Sequence, residues 1–218
     1  IGTSATLQLL PSMVAPTDIV SCNITATDVD NASTISSDSV SIDNSLPIAS
    51  SLSISPASIY TNDTVTASVL VNDADNSQTL STTYEWHVIS AGVDSIVQTG
   101  TLNTLNGSLY FDSTDQIYAI VTPYDGMDYG VPVTSATAVV SNSPPTAPDI
   151  SISPNPAIAG VDSLLCSITT ESADDDGESI IYTYEWTYDG LIQQTTVSST
   201  LSDTLSASMT SEGTWTCE

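Results

Sequence analysis

The tetrapeptide Thr-Tyr-Glu-Trp occurs twice, at 83–86 and again at 183–186, and it does not recur alone. Ser-Ile-Ser-Pro stands at 53–56 and 151–154, and the Asn-Ser-Leu-Pro of 44–47 answers to the Asn-Ser-Pro-Pro of 142–145. Laying 56–69 over 154–168 puts Asp63 on Asp162 and Ala67 on Cys166. The offsets lie between 98 and 100 residues, so the chain is built from a unit of about 98 residues. This repetition restricts the fold to architectures in which one module of that length closes its own core. The boundaries it predicts are 1–45 for the C-terminal half of a first unit, 46–143 for a complete unit, and 144–218 for a third unit lacking its final strand. The match that defines the first half-unit runs from residue 2, laid over the stretch that begins at residue 100. Such a division is expected of a window onto a longer repetitive polypeptide. The rival reading is two broken ends that complete one another between molecules.

Within a unit the apolar residues alternate. Val65, Ala67 and Val69 share one parity, as do Ile117, Ala119 and Val121, and Leu164, Cys166 and Ile168. Period two is the mark of a strand with one face buried. Tyr84 with Trp86, and Tyr182, Tyr184 and Trp186, place aromatics on the core side, with Trp86 and Trp186 at its centre. Asp-, Asn- and Gly-rich turns separate these runs, and no segment carries a helical period. About seven short strands per unit predict an all-β chain of tandem two-sheet sandwiches.

Charge narrows the function. There is no Lys or Arg against 26 Asp plus Glu, a net charge of -26. Nucleic acid is excluded as a partner, because counterion release needs basic side chains. Anionic lipid surfaces are repelled, and no apolar run is long enough to insert in a membrane. Salt and divalent cations are expected to matter.

Cys166 and Cys217 flank Trp186, and their counterparts in the middle unit are Ala67 and Ala119. The two cysteines are replaced together, as expected of residues that face each other across a core. A disulfide packed against Trp186 is the expectation; two buried thiols are the alternative. Cys22 stands at the position of Cys217, unpaired in this window, its partner expected in the front half of the first unit. A disulfide framework implies an oxidising, extracellular compartment.

The run Y-E-W-T-Y-D-G (184–190) and the Cys…Trp…Cys order resemble the immunoglobulin-like, PKD-like and cadherin-like repeats of large secreted prokaryotic surface proteins. The resemblance spans nearly the whole chain and concerns architecture. It implies a structural role in a surface filament, sheath or stalk, with copies of itself or another fibre protein as partners. The alternatives are an adhesin stalk presenting a separate binding domain and a carbohydrate-binding accessory module. For the last, Tyr124, Tyr129 and Tyr188 are the candidate aromatics.

Acidic turns are the candidate cation sites: Asp73 and Asp75, Asp174 and Asp176 with Asp175 and Glu178, Asp28 and Asp30, and Asp125 and Asp128. Ca2+ takes roughly six to eight hard oxygen ligands, which such loops supply. The bland reading is solvated turns. Asn23, Asn31, Asn62 and Asn106 each begin an Asn-x-Ser/Thr sequon, open to glycans in an exported chain. His87 is the single histidine; following Trp86, it is expected on the solvent face. One histidine and unpatterned acids give no catalytic constellation, so a non-enzyme is expected.

Overall fold

The computed structural model describes residues 6–218, so residues 2–5 of the first repeat match lie outside the described residues. The chain divides into two units, Ile1–Ser141 and Asn142–Glu218. Each is all-β, assembled from small sheets that are antiparallel except for one parallel pair described below.

The first unit opens with a hairpin, β1 (Ile19–Thr27) and β2 (Ser33–Ser41), paired from Ile19 opposite Ser41 to Thr27 opposite Ser33. The Asp28 carboxylate builds its turn, accepting from the backbone N–H groups of Asp30 (2.9 Å) and Ala32 (2.8 Å). An Asp side chain that satisfies local N–H groups is a standard turn former. β3 (Ile48–Ser55), β4 (Ile59–Tyr60), β5 (Thr64–Asn72), β6 (Ser81–Ser90), β7 (Val93–Gly100) and β8 (Thr104–Asn106) follow. A four-residue helical turn α1 (Gly107–Tyr110) precedes β9 (Gln116–Tyr124), β10 (Val133–Thr134) and β11 (Ala138–Ser141). The sequence pattern gave no sign of this turn. Its cap is Asn106, whose side chain accepts from Ser108 N–H.

One sheet runs β3-β5-β8; the other runs β4-β11-β9-β6-β7, with β10 also on β9. β11 lies parallel to β4, Val140 beside Ile59, and antiparallel to β9. Both sheets feed one core: Val65, Ala67 and Leu105 from the first, Trp86, Ile117, Ala119, Val121 and Val140 from the second. Trp86, Ala67 and Ala119 are wholly buried. The alternation along β5 and β9 is therefore the pleat itself, one parity to the core and the other outward. Gly130 is required by a close approach, since a Cβ there would lie 1.9 Å from the Pro47 carbonyl oxygen.

The second unit comprises β12 (Asp149–Ser153), β13 (Leu164–Thr170), β14 (Tyr182–Tyr188), β15 (Leu191–Ser198), β16 (Ser202–Leu205) and β17 (Trp215–Cys217), with a 3-10 turn at Ala207–Met209. Its sheets are β12-β13-β16 and β15-β14-β17. Leu164, Cys166, Tyr184, Trp186, Leu205 and Cys217 form a smaller core. Cys166 on β13 and Cys217 on β17 are joined by a disulfide with Cα atoms 6.4 Å apart.

Details recur between the units. Trp86 sits opposite Ala119 and Trp186 opposite Cys217. A β-bulge follows each Trp on the side of β7 and β15 respectively. Each indole N–H has an acceptor: the Leu102 carbonyl for Trp86 (3.4 Å) and the Asp203 carboxylate for Trp186 (2.8 Å). A buried indole needs such a partner.

Candidate functional site

Acidic side chains gather at the start of β3 in the first unit. Ser45 N–H donates to Asp75 Oδ2 (2.8 Å), and Asp75 N–H donates to Asp73 Oδ1 (2.7 Å). Asn44 Nδ2 donates to Asp125 Oδ2 (2.9 Å) and to Asp128 Oδ2 (3.0 Å). Gln78 Nε2 donates to Asn44 Oδ1 (2.6 Å). Asp125 is 1 % exposed, and its Oδ1 accepts from Met127 and Asp128 N–H, each at 2.7 Å. Burial pushes the Asp125 carboxyl up, but the Asp128 N–H, the Asn44 amide and the Met127 N–H together outweigh it and hold the group below its ordinary value. The result is a hydrogen-bonded set of four carboxylates and two carboxamides drawn from three loops.

The same clasp recurs in the second unit. Ser143 N–H donates to Asp176, and Asp176 N–H donates to Asp174 Oδ1 at 2.8 Å. Asn142, the counterpart of Asn44, donates instead to the neighbouring Ser143 carbonyl (3.1 Å). Asp73 Oδ2, Gln78 Oε1, Asp176 Oδ1 and Ser143 Oγ are buried oxygens without a hydrogen-bond partner among the described residues. Asp175 and Glu178 are exposed beside this clasp, and Asp30 is exposed in the β1–β2 turn. Among the described residues, no group of three or more His, Cys, Asp or Glu side chains is arranged to hold a metal ion.

Asn44 and Gln78 carry the most information here, and the acidic spacing alone did not find them. The Asn44 amide N–H groups sit between the Asp125 and Asp128 carboxylates. The recurrent Asn-Ser-x-Pro junction was the available signal.

The four sequon asparagines, Asn23, Asn31, Asn62 and Asn106, are all exposed. Asn23 lies on β1, on the face opposite Cys22; Asn31 and Asn62 occupy tight turns with φ of 65° and 74°. Asn106 Oδ1 accepts from Ser108 N–H (3.1 Å) and Ser108 Oγ (2.8 Å). Cys22 is an exposed free thiol.

His87 departs from the expectation of a solvated residue. It lies on the face of β6 away from the core, yet it is 9 % exposed. Tyr118, directly opposite on β9, stacks on it with ring centroids 4.4 Å apart. His87 Nδ1 lies 3.1 Å from Asp94 Oδ1, and Tyr118 Oη donates to Asp94 Oδ2 (2.7 Å). The alternation rule gives the face; it does not give the ring that covers it. That bond to Asp94, with burial, pushes the Tyr118 phenol up to about 12. The Asp94 carboxyl is held below its ordinary value, chiefly by Tyr118 and then by His87 against the upward pull of burial. The aromatics considered for sugar binding each pack against another ring of their own unit. Tyr124 stacks on Tyr129 at 4.5 Å, and Tyr188 packs on Trp215 at 5.0 Å.

No family model matches the chain, and no curated protein matches it. Among solved structures it is similar to a Ca2+-stabilized adhesin with which an Antarctic bacterium reaches out and binds ice, at 14% identity and a TM-score of 0.29. The alignment covers 92% of this chain and 55% of that one, so the chain spans about half the length of the structure it matches. Among the described residues no helix is long and apolar enough to cross a membrane.

Proposed function

We propose that the chain is a non-catalytic stretch of an extracellular surface protein and serves as the stalk of an adhesin whose binding module lies elsewhere. It is built of tandem immunoglobulin-like sandwiches, with 1–45 as the C-terminal half of one unit, 46–143 as a complete unit and 144–218 as a third. A role within a surface filament or sheath is the second reading. The observation that carries the proposal is the repeated clasp at the entrance of successive units, Ser45–Asp75–Asp73 and Ser143–Asp176–Asp174. A fold that rebuilds the same polar anchor where each unit begins is suited to bearing tension along the chain.

Ca2+ is the cation this anchor suits. The donors are hard oxygens, and Asp73 Oδ2 and Gln78 Oε1 are buried without partners. The carboxylate pair Asp73 and Asp75 would contribute ligands, and Asp174 and Asp176 are the counterparts in the second unit. A divalent ion at either pair would offset its two negative charges and fix its loop where the unit begins.

The test is single-molecule stretching of the chain in Ca2+ and in EDTA. Unfolding is expected in discrete steps, roughly 30 nm for the complete unit at 46–143 at ~3.4 Å per residue, and a much shorter one for the last unit, where the Cys166–Cys217 bridge, 51 residues apart in sequence, keeps the intervening chain from extending. The steps should occur at higher force in Ca2+. Smooth extension without steps would refute the stalk reading. Equal forces in the two buffers would refute the cation alone.

A further inference from the structure

The β1–β2 hairpin carries a core-type face with no core against it among the described residues. Val20, Cys22, Ile24 and Ala26 point to one side of β1, with Val40 and Asp38 opposite Val20 and Cys22 on β2. Ile24 is 67% exposed and Val40 60%. The other side bears Ile19, Ser21, Asn23, Thr25 and Thr27, with Ile35 opposite Thr25, and is the more polar of the two.

The first unit shows what such a hairpin is built to do. The corner leading into β1 matches the corner leading into β9. Thr17 and Thr114 have φ of 73° and 72°. Thr17 N–H donates to the Ile42 carbonyl and Ile42 N–H to the Asp18 carbonyl, each at 2.8 Å. Thr114 N–H donates to the Val140 carbonyl (2.9 Å) and Val140 N–H to the Asp115 carbonyl (2.8 Å). Asp18 and Asp115 each cap the corner, accepting from Ala15 and Asp112 N–H. In that register Val20, Cys22 and Ile24 stand where Ile117, Ala119 and Val121 stand, and those three are 0% exposed under β3-β5-β8. Cys22 is thus also in the register of Cys217, which reaches Cys166 on the covering sheet of the second unit.

We infer that this hairpin face is an interaction surface for a three-stranded sheet of the same kind, one that carries a cysteine facing Cys22 and lies outside residues 1–218. The two covering sheets within the chain do not fit. β3-β5-β8 presents Ala67 at the position in question, and Cys166 of β12-β13-β16 is already bonded. Docking buries Val20, Ile24 and Val40, and the two thiols close a disulfide. Each sulfur gives up its proton and one electron; the electron pair reduces an external disulfide to its two thiols.

Native protein, alkylated before unfolding and then digested without reductant, tests this by mass mapping. The expected result is Cys22 unalkylated and linked to a cysteine peptide absent from residues 1–218. Alkylated Cys22, a Cys22–Cys22 link, or a link to Cys166 or Cys217 would each overturn it. A second measurement does not depend on the thiol. Amide exchange across Ile19–Thr27 should be slow in the native protein and fast in the isolated 218-residue chain; equal rates would overturn the covered face. Neither result bears on the Ca2+ force response, so this inference and the stalk reading fail separately.

Discussion

Replacing Cys166 and Cys217 together by alanine copies into the second unit what the first unit has at Ala67 and Ala119. The bridge spans 51 residues of sequence. Chain-entropy arithmetic for a loop of that size gives a stabilisation of about 4 kcal/mol at 25 °C, at the upper end of the usual range. A unit as small as Asn142–Glu218 has a total stability of roughly 4–12 kcal/mol at about 0.05–0.15 kcal/mol per residue. The bridge is therefore a large share of what keeps that unit folded. The assay is urea unfolding of the full chain followed by tryptophan fluorescence. Trp86 reports on the first unit, and Trp186 and Trp215 on the second. Reductant alone and the double alanine variant should lower the stability of the second unit by similar amounts and leave the first in place. Agreement between the two separates loss of the bridge from loss of sulfur packing. A shift below about 1 kcal/mol, or an equal shift in both units, would refute the reasoning.

Three further outcomes follow from the first unit. Because the Tyr118 phenol is raised to about 12, stability from its bond to Asp94 is present below the free tyrosine value and lost as pH rises through 12. Ultraviolet titration should show one tyrosine ionising last, and Asp94→Asn should return it toward its neighbours. The Asp94 and Asp125 carboxyls are depressed, so their stabilisation is present above the unfolded carboxylate value and lost as pH falls through the depressed values. Acid titration of Asp94→Asn should therefore be flatter below about pH 4. Gly130→Ala drives a methyl into the Pro47 carbonyl oxygen and should cost about 1–3 kcal/mol by thermal melting, with Gly92→Ala as a control that meets nothing within 4 Å but carries a positive φ.

What could be read from the chain was whatever has a short period or an internal copy. Val65, Ala67 and Val69 alternate because a pleated strand has two faces, and the second copy of Tyr-Glu-Trp marked the strand at the centre of each core. The Cys166 and Cys217 positions stood out because the middle unit has alanine at both. What could not be read were contacts between residues distant in sequence with no periodic mark. Asn44 meets Asp125 across 81 residues, and Gln78 meets Asn44 across 34. Nothing in the local pattern of β6 indicates that Tyr118 will lie flat over His87, since that depends on the register of β6 against β9. The helical turn at Gly107–Tyr110 is too short to leave a period.

The capping aspartates carry a consequence for the charge of the molecule. Asp18, Asp63, Asp115 and Asp162 each lend one carboxylate oxygen to a backbone N–H three or four residues away. An asparagine side-chain oxygen can accept the same bond. The turns therefore require an acceptor, a bond that ionisation strengthens but does not create. At these four positions, out of 26 acidic residues, the negative charge is surplus to the geometry of the turn. Neutralising these four one by one would change how neighbouring chains, ions and surfaces meet this protein before it changed the path of the backbone.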